Sequence, residues 1–205
     1  TYSRWEMIII NDGSHDDTAA IMDSFARSDH RITCISQENK GMTAARKTGV
    51  DKACGKYVLI FDSDDIIYPE ALDTLVHIAE TNSADIVSIP FRFWYPDGHK
   101  EESIKPDYNE IDGVTYLKKA LEEKAYWALW QIMIRRDVIS KADFDTGKDL
   151  LLGEDMVITT QIMSLRPKIV SCPVPLIDYR IRNDSISRIR TEKFHRDFRR
   201  SLDLS

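Results

Sequence analysis

Three carboxylates stand within four positions at the end of the stretch Tyr57-Val58-Leu59-Ile60-Phe61-Asp62-Ser63-Asp64-Asp65. Like charges this close repel, so the cluster costs stability unless something neutralises it. A divalent cation does so, because hard cations take oxygen ligands. The other reading is a polar turn that ends in a cap, with Asp65 capping a helix that Pro69 opens. A cap uses one carboxylate and the stretch carries three, which favours a metal. Two more polar groups stand where elements begin or end: Asn11-Asp12-Gly13-Ser14 and Glu154-Asp155. In the first, Asp12 can accept from a base N–H or a ribose hydroxyl, and Gly13 lets backbone approach a nucleotide; Asp-Gly-Ser also serves as a helix cap, with Ser14 or Asp16 in that place. In the second, a carboxylate at a crevice rim can act as general base. Taken alone, complementation of a helix dipole accounts for both Glu154 and Asp155.

These groups need elements to position them. Residues 57–61 read as a buried strand with the carboxylates at its C-terminal tip. Further strands are predicted over 5–10, 31–36 and 85–91, and helices over about 14–28, 42–54 and 69–81. This alternation implies an α/β domain, a mostly parallel central sheet with helices on both faces. Ligands bind outside the carboxyl ends of such strands, where the 11–14 and 62–65 turns both open. Regularity then lapses. Residues 92–110 read as a β-excursion around the Pro96-Asp97-Gly98 turn, followed by a helix from Asp112 or Thr115 to about 123. The aromatic-rich 126–134 reads as a strand, 144–153 as a loop and 154–165 as a helix. Short strands over 168–172 and 176–182 form a small mixed β part, and a basic helix starts near 191. One domain over 1–205 is the simplest organisation, with a nucleotide-binding half (1–91), an acceptor-side half (92–190) and the start of a C-terminal helix (191–205).

The chain has 205 residues and a formal charge of −6, which does not suggest a nucleic-acid surface. Cys34, Cys54 and Cys172 are scattered without paired spacing, the pattern of a reducing, cytoplasmic compartment. No apolar run reaches the roughly 18 residues that a membrane span needs. The chain opens without Met, almost directly in a strand, and stops inside a helical pattern, so it reads as a piece of a longer protein. Lys193, Arg196, Arg199 and Arg200 with Phe194 and Phe198 suit either a solvated basic face or an anionic membrane surface.

Together the motifs resemble the family 2 glycosyltransferases, inverting enzymes of the GT-A fold. W-E-M-I-I-I-N-D-G-S-H-D-D-T is similar to that family's second strand and Asp-Gly-Ser turn, and N-K-G-M-T-A-A-R-K-T-G to its Asn-x-Gly…Ala-Arg-Asn segment. G-K-Y-V-L-I-F-D-S-D-D resembles the strand ending in Asp-x-Asp, L-L-G-E-D-M-V the Gly-Glu-Asp motif, and Y-R-I-R-N-D-S-I-S the Tyr-Arg…Ser-Ile-Ser strand. The resemblance implies a nucleotide-sugar donor, UDP-linked for choice, and a glycan or lipid-linked acceptor, in cell-surface polysaccharide synthesis at the inner face of the cytoplasmic membrane. It implies donor contacts from Asp12 with Gly13 and Ser14, Arg46 and Asp62, with Arg180 as a diphosphate clamp. It implies Mg²⁺ or Mn²⁺ on Asp64, Asp155 as general base beside Glu154, and an acceptor contact at Trp130. The pattern departs at Asn11, where the family has Asp, at Lys47, where it has Asn, and after Trp130, where Gln131 to Ile134 depart from the family's Trp-Asn-Lys-Leu. The family's first strand and helix have no counterpart before Thr1, so those elements are expected to be missing. Two alternatives stay open: an inactive GT-A domain acting as a binding module, and an Asp-x-Asp phosphohydrolase. The second lacks the usual Gly-Thr or Gly-Val, since Asp65-Ile66 follows Asp64.

Overall fold

The computed structural model describes residues 1–146, 148–150, 153–182 and 192–205, with backbone alone at 192, 194 and 195. In chain order the elements are β1 (Met7–Asp12), α1 (Thr18–Ser28), β2 (Ile32–Gln37), α2 (Met42–Lys52), β3 (Tyr57–Leu59), β4 (Ile66–Ile67), α3 (Ala71–Asn82), β5 (Ile86–Ser88) and β6 (Phe91–Trp94). There follow β7 (Lys100–Glu102), β8 (Glu110–Asp112), α4 (Gly113–Leu121), a 3₁₀ turn (Leu129–Gln131), β9 (Ile132–Arg135), α5 (Arg136–Ile139), α6 (Glu154–Ser164), β10 (Lys168–Ser171), β11 (Ile177–Arg180) and α7 (Glu192–Leu204).

The predicted elements are present in order as far as α3, with one unpredicted strand, β4, standing between β3 and α3 and pairing with β11. The strand predicted over 85–91 is interrupted at Ile89-Pro90: β5 stays in one sheet and β6 joins another. Proline has no N–H to give a ladder, so a strand changes partners there at little cost. The β-excursion is the β6–β7 hairpin, closed by Gly98 N–H donating to Tyr95 O at 2.9 Å. Asp112, rather than Thr115, caps α4, its side chain accepting from Thr115 N–H at 2.8 Å.

Hydrogen bonding divides the strands into three groups: β1–β2, then β3-β9-β5-β10-β8, then β4-β11-β6-β7. The parallel pairing that the alternation implies holds for β1–β2, β5–β10 and β6–β11. The five-stranded sheet is mixed, because β9 enters antiparallel between β3 and β5. Ile132, Met133 and Ile134 of β9 are all buried, so this run is apolar on both faces and suits a central position. Its direction matters for the site. Leu59 pairs with Met133 and Ser88 with Ile132, so the 3₁₀ turn before β9 lies beside the tips of β3 and β5. Two apolar clusters flank this sheet, and each draws side chains from both sides of position 91. Among the described residues, no helix is long and apolar enough to cross a membrane.

Candidate active site

Chain leaving β3 turns sharply, with Asp65 N–H donating to Asp62 O at 3.2 Å. Asp62 and Asp64 are part-exposed, their side chains 32% and 37% accessible. Asp65 points inward. Its Oδ1 accepts from Arg180 N–H at 3.0 Å, and its Oδ2 is buried without a partner. Burial pushes the Asp65 carboxyl up to about 7, and the charges of Asp64 and Asp62 add to this against the Arg180 hydrogen bond. Asp65 is therefore no helix cap; Glu70 precedes α3, without a side-chain capping bond. The turn is instead tied to β11.

Arg46 of α2 is the centre of the arrangement, its side chain only 7% exposed. One terminal nitrogen donates to Asp155 Oδ1 and, at 3.3 Å, to Glu154 Oε1. The other lies 3.4 Å from Asp62 Oδ1. Its Nε is buried without a partner. Glu154 and Asp155 occupy the first turn of α6, entered through Gly153 at φ +90°. The second oxygen of Asp155 accepts from Leu129 N–H of the 3₁₀ turn at 3.2 Å. Burial pushes Glu154 up to about 7, helped by the Asp155 charge and opposed by Arg46. Burial also raises Asp155, opposed first by Arg46.

On the β1 side, the Asp12 carboxylate accepts from Gln37 Nε2 at 2.7 Å, Lys40 N–H at 3.0 Å and Gly41 N–H at 2.8 Å. Gln37 also accepts from Thr48 Oγ1 of α2 at 2.8 Å. Asp12 thus fixes the loop that starts the helix carrying Arg46. Gly13 has φ +83°, and a Cβ there would stand 2.8 Å from Asn39 N. Ser14 N–H donates to the buried Asn11 side chain at 2.8 Å, so Asn11 closes this turn with its amide oxygen.

The remaining predicted residues lie further out or further in. The Arg180 guanidinium stacks over Trp94, 5.0 Å from the ring centroid, with Lys100 Nζ also at 5.0 Å. Arg182 Nε lies 3.5 Å from Asp64 Oδ2. Trp130 is buried, stacked on Tyr179 at 5.1 Å and edge-on to Phe91 at 4.6 Å. It ties the 3₁₀ turn to β11, the strand that also holds Asp65. Leu151, Leu152 and the 183–187 stretch, parts of two quoted motifs, lie outside the described residues, as does the side chain of Phe194. Sequence reasoning missed Leu129, whose contribution is a backbone N–H with no side-chain signal. It also missed the inward turn of Asp65, for which the third adjacent carboxylate was the available signal.

Oxygen donors at Asp64 suit Mg²⁺ or Mn²⁺. Among the described residues, no three His, Cys, Asp or Glu side chains converge as a metal cage. Mg²⁺ characteristically takes one or two carboxylates and completes its shell with water and phosphate. Asp64, part-exposed on the turn after β3, fits that pattern.

Residues 1–141 match the family described as Glycosyl transferase family 2. The chain belongs to that family. It is 34% identical over 203 residues to glycosyltransferase GlyA of Streptococcus pneumoniae, covering 95% of this chain and 29% of that protein. It is 29% identical over 196 residues to the uncharacterized glycosyltransferase EpsJ of Bacillus subtilis, covering 92% and 56%. The chain therefore spans between about a third and just over half of these relatives. Among solved structures, S. aureus TarS 1–349 in complex with UDP-GlcNAc matches with a TM-score of 0.75 at 18% identity, covering 97% of this chain and 57% of that one. The fold is GT-A.

Proposed function

We propose that this domain moves a sugar from a nucleotide-diphosphate sugar, UDP-linked for choice, to a hydroxyl of a glycan or lipid-linked acceptor, with inversion at the anomeric carbon. The polymer built in this way is a cell-surface polysaccharide. One observation carries the reading: Arg46 joins the Asp62 turn to Glu154-Asp155, bringing the Asp-x-Asp tip and a carboxylate base candidate 93 positions further along (155 − 62) into one cluster. TarS, a match in fold, was solved with UDP-GlcNAc and with UDP, which supports a nucleotide-sugar donor.

In this reading the loop pinned by Asp12, with Gly13 and Ser14, receives the nucleoside, and Asp62 accepts from the ribose. Asp64 would hold Mg²⁺ or Mn²⁺. When bound, the ion stabilises negative charge on the leaving diphosphate as a Lewis acid. Asp155 accepts the proton of the acceptor hydroxyl. The hydroxyl oxygen bonds to the anomeric carbon as the bond from that carbon to the phosphate oxygen breaks, and the nucleoside diphosphate leaves with the bonding pair. Burial raises the basicity of Asp155 above that of a surface carboxylate, which suits a proton acceptor. Arg180, exposed beside the acidic turn, is a second contact for the diphosphate. Attachment of the basic α7 face to an anionic bilayer goes with a lipid-linked acceptor; recovery of all the protein below a floated liposome layer would remove that part.

Calorimetric titration of UDP with and without Mn²⁺, on the wild type and Asp64→Ala, tests the donor site. Metal-dependent binding lost in the variant supports it. Metal-independent binding moves the diphosphate to the arginines near Arg180. No binding of UDP or of any other nucleotide diphosphate overturns the reading.

A further inference from the structure

We propose that Arg46 is a positioning residue for the base: its guanidinium holds Asp155 as an aimed carboxylate and is not a ligand of the donor. The inference rests on the reading of Asp155 as base. It reassigns Arg46, which the motif resemblance puts among the donor contacts.

Geometry leaves the donor little of this side chain. Arg46 is almost wholly enclosed and already faces three carboxylates. A diphosphate reaching it would enter a pocket lined by Asp62, Glu154 and Asp155 and would displace them against like-charge repulsion. The same geometry serves the base well. One Asp155 oxygen is held by Arg46 and the other by Leu129 N–H, so the carboxylate plane is fixed from two sides. Its remaining lone pairs are left for an incoming hydroxyl.

The groups facing Asp155 come from every neighbouring element. Arg46 comes from α2, Asp62 from the tip of β3, Glu154 from its own helix and Leu129 N–H from the 3₁₀ turn. From α7, Ser201 seats against Gly153. Among the described residues, Arg46 is the cation of that set. Without it, Asp155 keeps its burial and the neighbouring Asp62 charge, both of which raise it, and its equilibrium moves further toward the protonated acid. A protonated Asp155 cannot accept the acceptor's proton.

The test compares wild type, Arg46→Met, Arg46→Lys and the double variant Arg46→Met/Glu154→Gln, which removes one buried carboxylate along with the cation. Three quantities are read: donor Kd, the pH profile of kcat, and the Asp155 titration by carboxyl ¹³C NMR, assigned with Asp155→Asn. In Arg46→Met, the acid limb of kcat and the Asp155 midpoint should rise together by about 1–3 pH units. Turnover at pH 7 should fall by about tenfold or more and recover in more alkaline buffer, with donor Kd changed by less than about twofold. Lysine should restore part of the shift. A donor affinity reduced by about tenfold with an unmoved acid limb would make Arg46 a donor ligand and overturn the proposal. If Arg46→Met fails to fold, Arg46→Lys and the double variant are read by the same criteria. If the wild type neither binds nor transfers a nucleotide-sugar, the functional reading fails by itself. The NMR midpoint still decides whether Arg46 holds Asp155 ionised, and an unchanged midpoint ends the proposal.

Discussion

Replacing Gly153 by alanine tests how the proposed catalytic carboxylates are aimed. Gly153 precedes Glu154 and has φ +90°, in the left-handed region. An L-residue held there costs about 1–2 kcal/mol. The new methyl also has no room: it would stand 2.6 Å from Ser201 Cβ, with Ser201 Oγ closer still. Ser201 is fully buried on α7 and its hydroxyl donates to Phe198 O at 2.7 Å, so it does not move aside freely. Overpacking of this kind costs about 1–3 kcal/mol. The sum is about 2–5 kcal/mol, read by urea unfolding of Gly153→Ala, Ser201→Gly and the double variant. Ser201→Gly alone should cost about 1 kcal/mol as a helix-interior glycine. In the double variant the clash disappears and the backbone cost stays, so the two losses should fall short of additivity by about 1–3 kcal/mol. Additivity within about 0.5 kcal/mol would refute the packing of α7 on this turn, and a Gly153→Ala loss below about 1 kcal/mol would refute the whole argument. Displacing the base by ~1 Å should also lower transfer by about a hundredfold, with partial recovery in the double variant.

Three further outcomes are expected. Glu154 titrates near 7 in the fold against an ordinary 4.5, so between those values the folded protein keeps a proton that the unfolded chain has released. Glu154 should therefore lower stability as pH rises through that window, by up to about 3 kcal/mol, and Glu154→Gln should remove that share of the difference between urea unfolding at pH 5 and 7.5, leaving the share of Asp65, which is also pushed up to about 7. Asp178 is buried on β11 and accepts from Tyr68 Oη at 2.7 Å, Arg92 Nε at 3.1 Å and Lys100 Nζ at 2.6 Å. Asp178→Ala should cost about 3 kcal/mol, the low end for breaking a buried pair, because both cations keep access to water; a loss under about 1 kcal/mol would show the network to be incidental. Asp12→Ala releases the Gln37, Lys40 and Gly41 donors, so the Lys40 and Gly41 amides should exchange hydrogen faster and donor Kd should rise, while Asp12→Asn keeps part of both effects.

Apolar periodicity made β1, α1, β2, α2, β3 and α3 legible in order, although the α1 stripe buries only Met22 and leaves Ile21 and Phe25 exposed, and the short β4 gave no signal of its own. Element ends were legible too: the 62–65 tip and Glu154-Asp155 both lie in the Arg46 cluster. What periodicity could not carry was pairing. Residues 132–134 read as an apolar strand, yet nothing local says that β9 runs antiparallel between β3 and β5. That is decided by which neighbours bury both its faces. Trp130 shows the same limit. Its position beside the tip followed from the motif, whereas its burial against Tyr179 and Phe91 depends on β6 and β11 arriving from the other sheet.

The antiparallel entry of β9 also explains how the proposed base and an acidic tip so far apart in sequence come to share one cluster. A parallel strand in that place would start at the far end of the sheet. An antiparallel one starts beside the tips of β3 and β5, and so delivers the Leu129 N–H where Asp155 needs it. The cost is a cluster of Asp62, Glu154 and Asp155 around one enclosed guanidinium, which mutual repulsion alone would force apart. Arg46 offsets part of that repulsion, and Glu154, titrating near 7, can relieve more by holding a proton. Nearer the surface the acidic turn is compensated separately: among the described residues Arg182 Nε lies 3.5 Å from Asp64 Oδ2, so the outer carboxylate is neutralised by an exposed side chain and the inner ones by a buried one.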